Sequence, residues 1–168
     1  MQLDPLLIVP TISFVTAVIL LLVFSFLDVK ERKVSNGVLS AGGLVGCIVS
    51  ILTGHIFRIP ILYISSLSFV LALSYVLFKL GVLGGADVKA LIVVALTSPG
   101  VVYAHWENQI YEGIMIDAIE ILVMVFLGYL YWQFHQRSGR TSSERRTVPL
   151  IPLLLVGYIV VQIVPFVS

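Results

Sequence analysis

Long apolar runs recur along the chain, at about 6–27, 37–57, 60–80, 88–104, 113–134 and 148–167. Each is near the ~20 residues that carry a helix across ~30 Å of hydrocarbon at ~1.5 Å per residue. Backbone polar groups find no partner in lipid, so continuous runs of this length must be helices. A transmembrane barrel would instead alternate apolar and polar residues in segments of roughly ten. With 59% hydrophobic and 11% charged residues, a chain of 168 cannot hide its apolar surface in water. The expected fold is all-α: one polytopic membrane domain covering 1–168, a bundle of six transmembrane helices. The fourth run is the shortest, and Pro99-Gly100 should weaken its end.

Charge gives the orientation. Between the runs, one set of loops holds Lys30, Arg32, Lys33, Lys79, Lys89, Arg137, Arg140, Arg145 and Arg146; the other holds Arg58 alone. The positive-inside rule makes the first set cytoplasmic and puts both termini outside. The first run lacks a basic n-region and is too long for a signal-peptide core, so it reads as an uncleaved anchor. Aromatics near both interfaces (Tyr63, Tyr103, Trp106 and Tyr111 outside; Phe24, Phe26, Phe78, Tyr131 and Trp132 inside) are expected as an interfacial belt. The polar stretch from His135 to Thr147 is too short to fold alone and suits contact with anionic lipid.

Packing signals are concentrated in the second run. Gly42, Gly46, Ser50 and Gly54 recur every four residues, a small-residue stripe that permits close helix approach. Packing within the chain is the favoured use, a homodimer the alternative. Ser65, Ser66, Ser68 and Ser74 are expected to pack in the third run. Cys47 is the single cysteine, which excludes a disulfide or a cysteine-based zinc site within one chain.

Two acids stand where acids are expensive. Asp28 closes the first run and Asp87 opens the fourth, both on the cytoplasmic side by the charge rule. Two carboxylates flanking one water cannot easily both ionise, so one is suited to act as base and the other as acid. Such a pair can hydrolyse a peptide bond. Serine, thiol and metal alternatives lack support: Cys47 lies inside a span, and His55, His105 and His135 are scattered over both sides. No cofactor, metal or nucleic-acid partner is expected. Gly84, Gly85 and Ala86 would allow a tight turn or a close approach of substrate backbone. Lys89 and the Lys30, Arg32 and Lys33 group anchor helix ends or orient the acids, and Asn36 is placed to cap the second span. Asp117 and Glu120, one turn apart near the outer end of the fifth span, form a competing pair, either solvated at the interface, the favoured reading, or packed against small faces inside the bundle.

The segment Asp28-x-x-x-Arg32-x-Val34-Ser35-Asn36 resembles the Asp-x-x-x-Arg-x-Ile-Pro-Asn motif of type IV prepilin peptidases. Gly84-Gly85-Ala86-Asp87-Val88-Lys89 resembles their Gly-x-Gly-Asp-x-Lys motif, and Val148-Pro149-Leu150-Ile151-Pro152-Leu153 the start of their last span. The resemblance implies a membrane aspartic endopeptidase with Asp28 and Asp87 as catalytic acids. Its substrates would be prepilin-like or preflagellin (archaellin) precursors, cleaved at the cytoplasmic face of the cell membrane. Larger members carry a cysteine-paired loop and an N-methyltransferase activity; neither is expected here. Ala86 stands in place of a glycine and Ser35 in place of a proline. A transporter using the two acids, or a non-catalytic assembly protein of the same fold, is the competing expectation. A transporter would hold its acids nearer the midplane.

Overall fold

The computed structural model describes residues 5–31, 34–101, 106–137 and 148–163, with side chains placed in 9–31, 34–101, 106–134 and 148–162. Arg32, Lys33, Tyr103, His105, Arg140, Arg145 and Arg146 lie outside the described residues, as do the side chains of His135 and Arg137. Seven helices follow one another: α1 (Pro5–Glu31), α2 (Asn36–Leu52), α3 (His55–Arg58), α4 (Pro60–Lys79), α5 (Gly85–Thr97), α6 (Gln109–Arg137) and α7 (Ile151–Ile163). No strand occurs among the described residues.

The all-α membrane bundle expected from the apolar runs is what the chain forms. Val9–Glu31, Pro60–Lys79 and Gln109–Phe134 are long and apolar enough to cross a bilayer, and Asn36–Leu52 and Ile151–Gln162 are shorter apolar helices. Helix α5 has 13 residues, about 20 Å at ~1.5 Å per residue. It ends at Thr97, just before the Pro99-Gly100 pair expected to weaken it. The bundle turns apolar side chains outward, as lipid allows and water does not: Phe26, Leu44, Ile64, Leu122 and Phe126 are all exposed.

Helix α5 is the central strut. It packs against α1, α2, α4 and α7, while α6 packs against α4 and α7 and α1 against α2 and α7. Ala90, Leu91, Val93, Val94 and Ala95 of α5 are all buried. The small-residue stripe explains how α2 gets so close. A methyl on Gly42 would collide with the Phe24 ring of α1, and one on Gly46 with Thr97 of α5. Ser50 Oγ donates to Leu96 O (2.9 Å) and Thr97 O (3.3 Å), the free carbonyls at the end of α5. Gly42, Gly46 and Ser50 are therefore used within the chain.

Gly54 does not belong to that stripe. The second apolar run was expected to stay helical to 57, but α2 stops at Leu52 and Gly54 takes a left-handed φ of 69°. Glycine adopts that conformation without a side-chain penalty, so the helix turns there into the short α3. Two aromatics also depart from the interfacial belt. Phe24 is buried against Gly42, and Tyr63 is buried in a network where its Oη donates to Ser50 Oγ (3.2 Å) and meets His55 Nδ1 (3.0 Å). Ser66 and Ser74 are buried as expected, whereas Ser68 is exposed.

The end of the bundle where α5 finishes and α6 starts is tied by a residue the sequence pattern did not single out. Glu112, fully buried in the first turn of α6, accepts from Val101 N–H (3.1 Å) and Trp106 N–H (2.9 Å). Gly100 passes so close, at φ 72°, that a Cβ there would lie 2.6 Å from Glu112 Oε1. Asn108 caps α6, accepting from Ile110 N–H (3.1 Å) and Tyr111 N–H (3.3 Å).

Candidate active site

The loop before α5 sets the position of Asp87. Helix α4 ends in a Schellman motif: Gly81 N–H donates to Phe78 O (3.0 Å) and Val82 N–H to Leu77 O (2.9 Å), with Gly81 at φ 75°. Leu83 is buried and anchors the loop. Gly84 then caps α5 in an extended conformation. Of the two uses open to Gly84-Gly85-Ala86, the tight turn is made instead at Gly81, three residues before Gly84.

Gly84 matters for a different reason. Its N–H donates to Asp87 Oδ2 at 2.8 Å, so the third residue of the helix reaches back to the cap. A Cβ on Gly84 would lie 3.0 Å from that same oxygen, tighter than ordinary contact. Gly85 is open: among the described residues, no atom comes within 4 Å of a Cβ built there. The methyl of Ala86 packs against the apolar core, so the residue standing in for glycine finds room in the fold.

Asp28 lies in the last turn of α1, half-buried. Its carboxylate faces the main-chain amide of Ile151, the first residue of α7. The free N–H groups of a helix start favour a carboxylate there. Asp28 Oδ2 is buried and completes no hydrogen bond within the described residues.

The two acids share one electrostatic neighbourhood. Burial raises the Asp87 carboxyl to about 6; the Gly84 N–H works against that rise, and the charge of Asp28 adds to it. Both acids therefore sit at helix starts, Asp87 within its own helix and Asp28 across from α7.

The ends of the two sequence motifs also meet. Lys89 Nζ donates to Asn36 Oδ1 at 2.5 Å, tying the start of α5 to the start of α2. Asn36 does not cap its own helix. That role falls to Ser35, whose Oγ accepts from Val38 N–H at 3.4 Å. Serine is a good N-cap, so the departure from proline has a local use. Asp28, Gly84, Asp87, Lys89 and Asn36 thus gather at one end of the bundle; Arg32 lies outside the described residues. Sequence reasoning did not assign the Ile151 amide, and its only signal was the proline-flanked start of the last run.

Asp117 and Glu120 are elsewhere and in another setting. Each is only 3% exposed, which overturns the expectation of solvated interfacial acids. Asp117 lies beside Ser66 of α4, and the Glu120 turn packs against Gly157 of α7. Among the described residues no group of three or more His, Cys, Asp or Glu side chains is arranged to hold a metal ion.

A model of the type IV leader peptidase family matches residues 15–134, a stretch that includes both Asp28 and Asp87. No curated protein and no solved structure matches the chain. The match spans well over half of the 168 residues, from within α1 into α6, and α7 lies beyond it. This all-helical membrane protein belongs to the type IV leader peptidase family, a family of proteases whose substrates are precursor proteins.

Proposed function

We propose that the chain is an aspartic endopeptidase that removes the leader of type IV prepilin-like or preflagellin precursors at the cytoplasmic face of the cell membrane. The observation that carries this reading is the setting of Asp87: a carboxyl raised to about 6, at a helix start, with the charge of Asp28 contributing to the rise. Two coupled carboxyls, one of them holding its proton up to about pH 6, suit hydrolysis of an amide by an activated water.

The roles divide by environment. Asp87 holds the proton, and Asp28, with Oδ2 uncommitted, is the base. Asp28 takes one proton from a water as its oxygen bonds to the scissile carbonyl carbon. Asp87 gives its proton to the carbonyl oxygen. In the second step the C–N bond breaks and the amine nitrogen takes the proton held by Asp28. The proton on the former carbonyl oxygen returns to Asp87, and the new C-terminal carboxyl leaves. Lys89 and Asn36 hold the two motifs in register, and open Gly85 admits the substrate backbone. Arg32, next in the first motif, is placed in the same role. The whole chain acts as one transmembrane unit of six crossings with both termini outside, as the sorting of its basic residues indicates.

The test is cleavage of a co-expressed prepilin or archaellin precursor by membranes carrying the wild-type chain, Asp28→Asn or Asp87→Asn. Loss of cleavage in both variants, with normal insertion and no effect of EDTA on the wild type, supports the reading. Full processing by either variant refutes the paired mechanism.

A further inference from the structure

Several hydroxyls of this chain turn back to a carbonyl one turn earlier. Thr16 Oγ1 donates to Ile12 O (2.8 Å), Thr53 Oγ1 to Val49 O (2.8 Å), Thr97 Oγ1 to Val93 O (2.7 Å) and Ser65 Oγ to Leu62 O (3.0 Å). In an apolar bundle that carbonyl is the nearest partner a hydroxyl has. Ser25 of α1 behaves differently. It is 8% exposed, and its Oγ completes no hydrogen bond among the described residues. Ser13 and Ser66 share that state, Ser66 with Asp117 beside it.

Ser25 lies one turn before Asp28, whose Oδ2 is buried and equally uncommitted. At ~100° and ~1.5 Å per residue, the two side chains leave α1 about 60° and about 4.5 Å apart, on one face. That face meets α7. Asp28 faces the Ile151 amide. Phe14, three turns before Ser25 and about 20° from it around the helix, stacks on Tyr158 with ring centroids 5.8 Å apart. Between those two contacts the surroundings are apolar: Leu21, Phe24, Ile151 and Leu154 all belong to the buried core. A hydroxyl left unbonded in such a wall is costly. The nearest polar side chain along α1 is Asp28 itself.

We propose that Ser25 is a third polar residue of the site: its Oγ and Asp28 Oδ2 together hold the water that attacks the scissile carbonyl. The inference rests on the peptidase reading above. A water held by Asp28 alone swings about one hydrogen bond. A second acceptor, one turn deeper on the same face, takes the other O–H and leaves a lone pair directed at the carbonyl carbon. The first proton passes to Asp28 as the water oxygen bonds to that carbon; Ser25 gains and loses none.

The test is precursor cleavage by the full chain in lipid vesicles, for wild type, Ser25→Ala, Ser25→Thr and Ser13→Ala. Ser13 is the control, buried and equally unbonded on the same helix but roughly 22 Å from Asp28 along α1. Ser25→Ala should lower kcat about tenfold, the worth of one hydrogen bond, with KM unchanged. Ser25→Thr restores a hydroxyl and should bring kcat to within about threefold of wild type, and Ser13→Ala should match wild type. Heat stability in detergent separates chemistry from packing. Deleting a buried hydroxyl that bonds nothing leaves stability unchanged or raised, so a slow Ser25→Ala variant with undiminished melting temperature supports the water-holding role. Wild-type kcat in Ser25→Ala, a loss confined to KM, or an equal loss in Ser13→Ala overturns it. So does a Ser25→Thr variant as slow as Ser25→Ala. A Ser25→Ala variant that melts earlier as well as cleaving slowly also overturns it, because the hydroxyl then belongs to the fold. Normal cleavage by both wild type and Ser25→Ala removes Ser25 alone, whereas a wild-type chain that cleaves no precursor overturns the peptidase reading and this inference with it.

Discussion

The chain carries two pairs of acids, and they live in opposite settings. Asp28 and Asp87 sit at the end of the bundle, facing the starts of α7 and α5, where backbone N–H groups are free to receive charge. Asp117 and Glu120 sit within α6, each 3% exposed, with Ser66 of α4 beside Asp117 and Gly157 of α7 packed against the Glu120 turn. Both pairs are costly to keep in an apolar bundle. Only the first has open backbone beside it, at Gly85, and a neighbouring motif that ties its helix to another. Burial of an acid alone therefore does not single out a site; in the proposed mechanism, burial joined to helix-start donors and an open approach does.

That contrast can be broken most directly by neutralising each pair. Asp28→Asn and Asp87→Asn should each lower the cleavage rate by about 10²–10⁴-fold, the range that a positioned acid or base contributes. Asp117→Asn and Glu120→Gln, measured in the same precursor assay, should leave it within about threefold, since they touch no reacting group. Complete loss in a well-inserted Asp117→Asn variant would move the site into α6.

The tie between motifs sharpens the contrast. Asn36→Ala and Lys89→Met should each reduce kcat/KM about tenfold, and the double variant should be no worse than either single one, because both remove one hydrogen bond. Additive losses would show that the two residues act separately.

Proton bookkeeping gives a further separation. Asp87 must hold its proton to act as the acid, and it loses that proton as pH rises through about 6. Activity should therefore fall on the alkaline side, by about tenfold per unit once the limb is linear. A rate that rises through that range would exchange the roles of Asp87 and Asp28.

The smallest effect is on stability. Folding raises the Asp87 carboxyl from 3.8 to about 6, so above about 6 the folded state carries a buried charge that the unfolded chain solvates freely. Asp87→Asn removes that cost while losing a charge-assisted bond from Gly84. It should stabilise the protein against heat in detergent by about 1–2 kcal/mol near pH 7.5. The gain should fade as pH falls from about 6 towards 3.8. A destabilised variant would mean that the Gly84 bond outweighs the burial.

Much of this was legible in the residues. Apolar runs and charge sorting gave the all-α membrane class, because the bilayer leaves the backbone no other choice. Two short polar motifs located Asp28, Asp87, Lys89 and Asn36. Other features were hidden because they depend on what lies across a helix interface. A serine at position 35 reads as a lost proline until Val38 N–H is seen on its hydroxyl. Gly54 reads as one more step in a stripe until the chain turns there at φ 69°. Asp117 and Glu120 read as interfacial acids because sequence depth says nothing about which face of α6 meets α4 and α7.

By itself, then, the sequence determined the solvent of this protein, its helical character and the two motifs that resemble those of a peptidase family. Hydrophobicity and motif spacing are local properties and survive without the fold. The tertiary structure decided which neighbours those motifs acquired. Asp28 meets the start of α7 more than 120 residues along the chain, and Lys89 reaches Asn36. Such meetings depend on how glycine, serine and leucine surfaces pack across helices, and no stretch of sequence states that packing in advance.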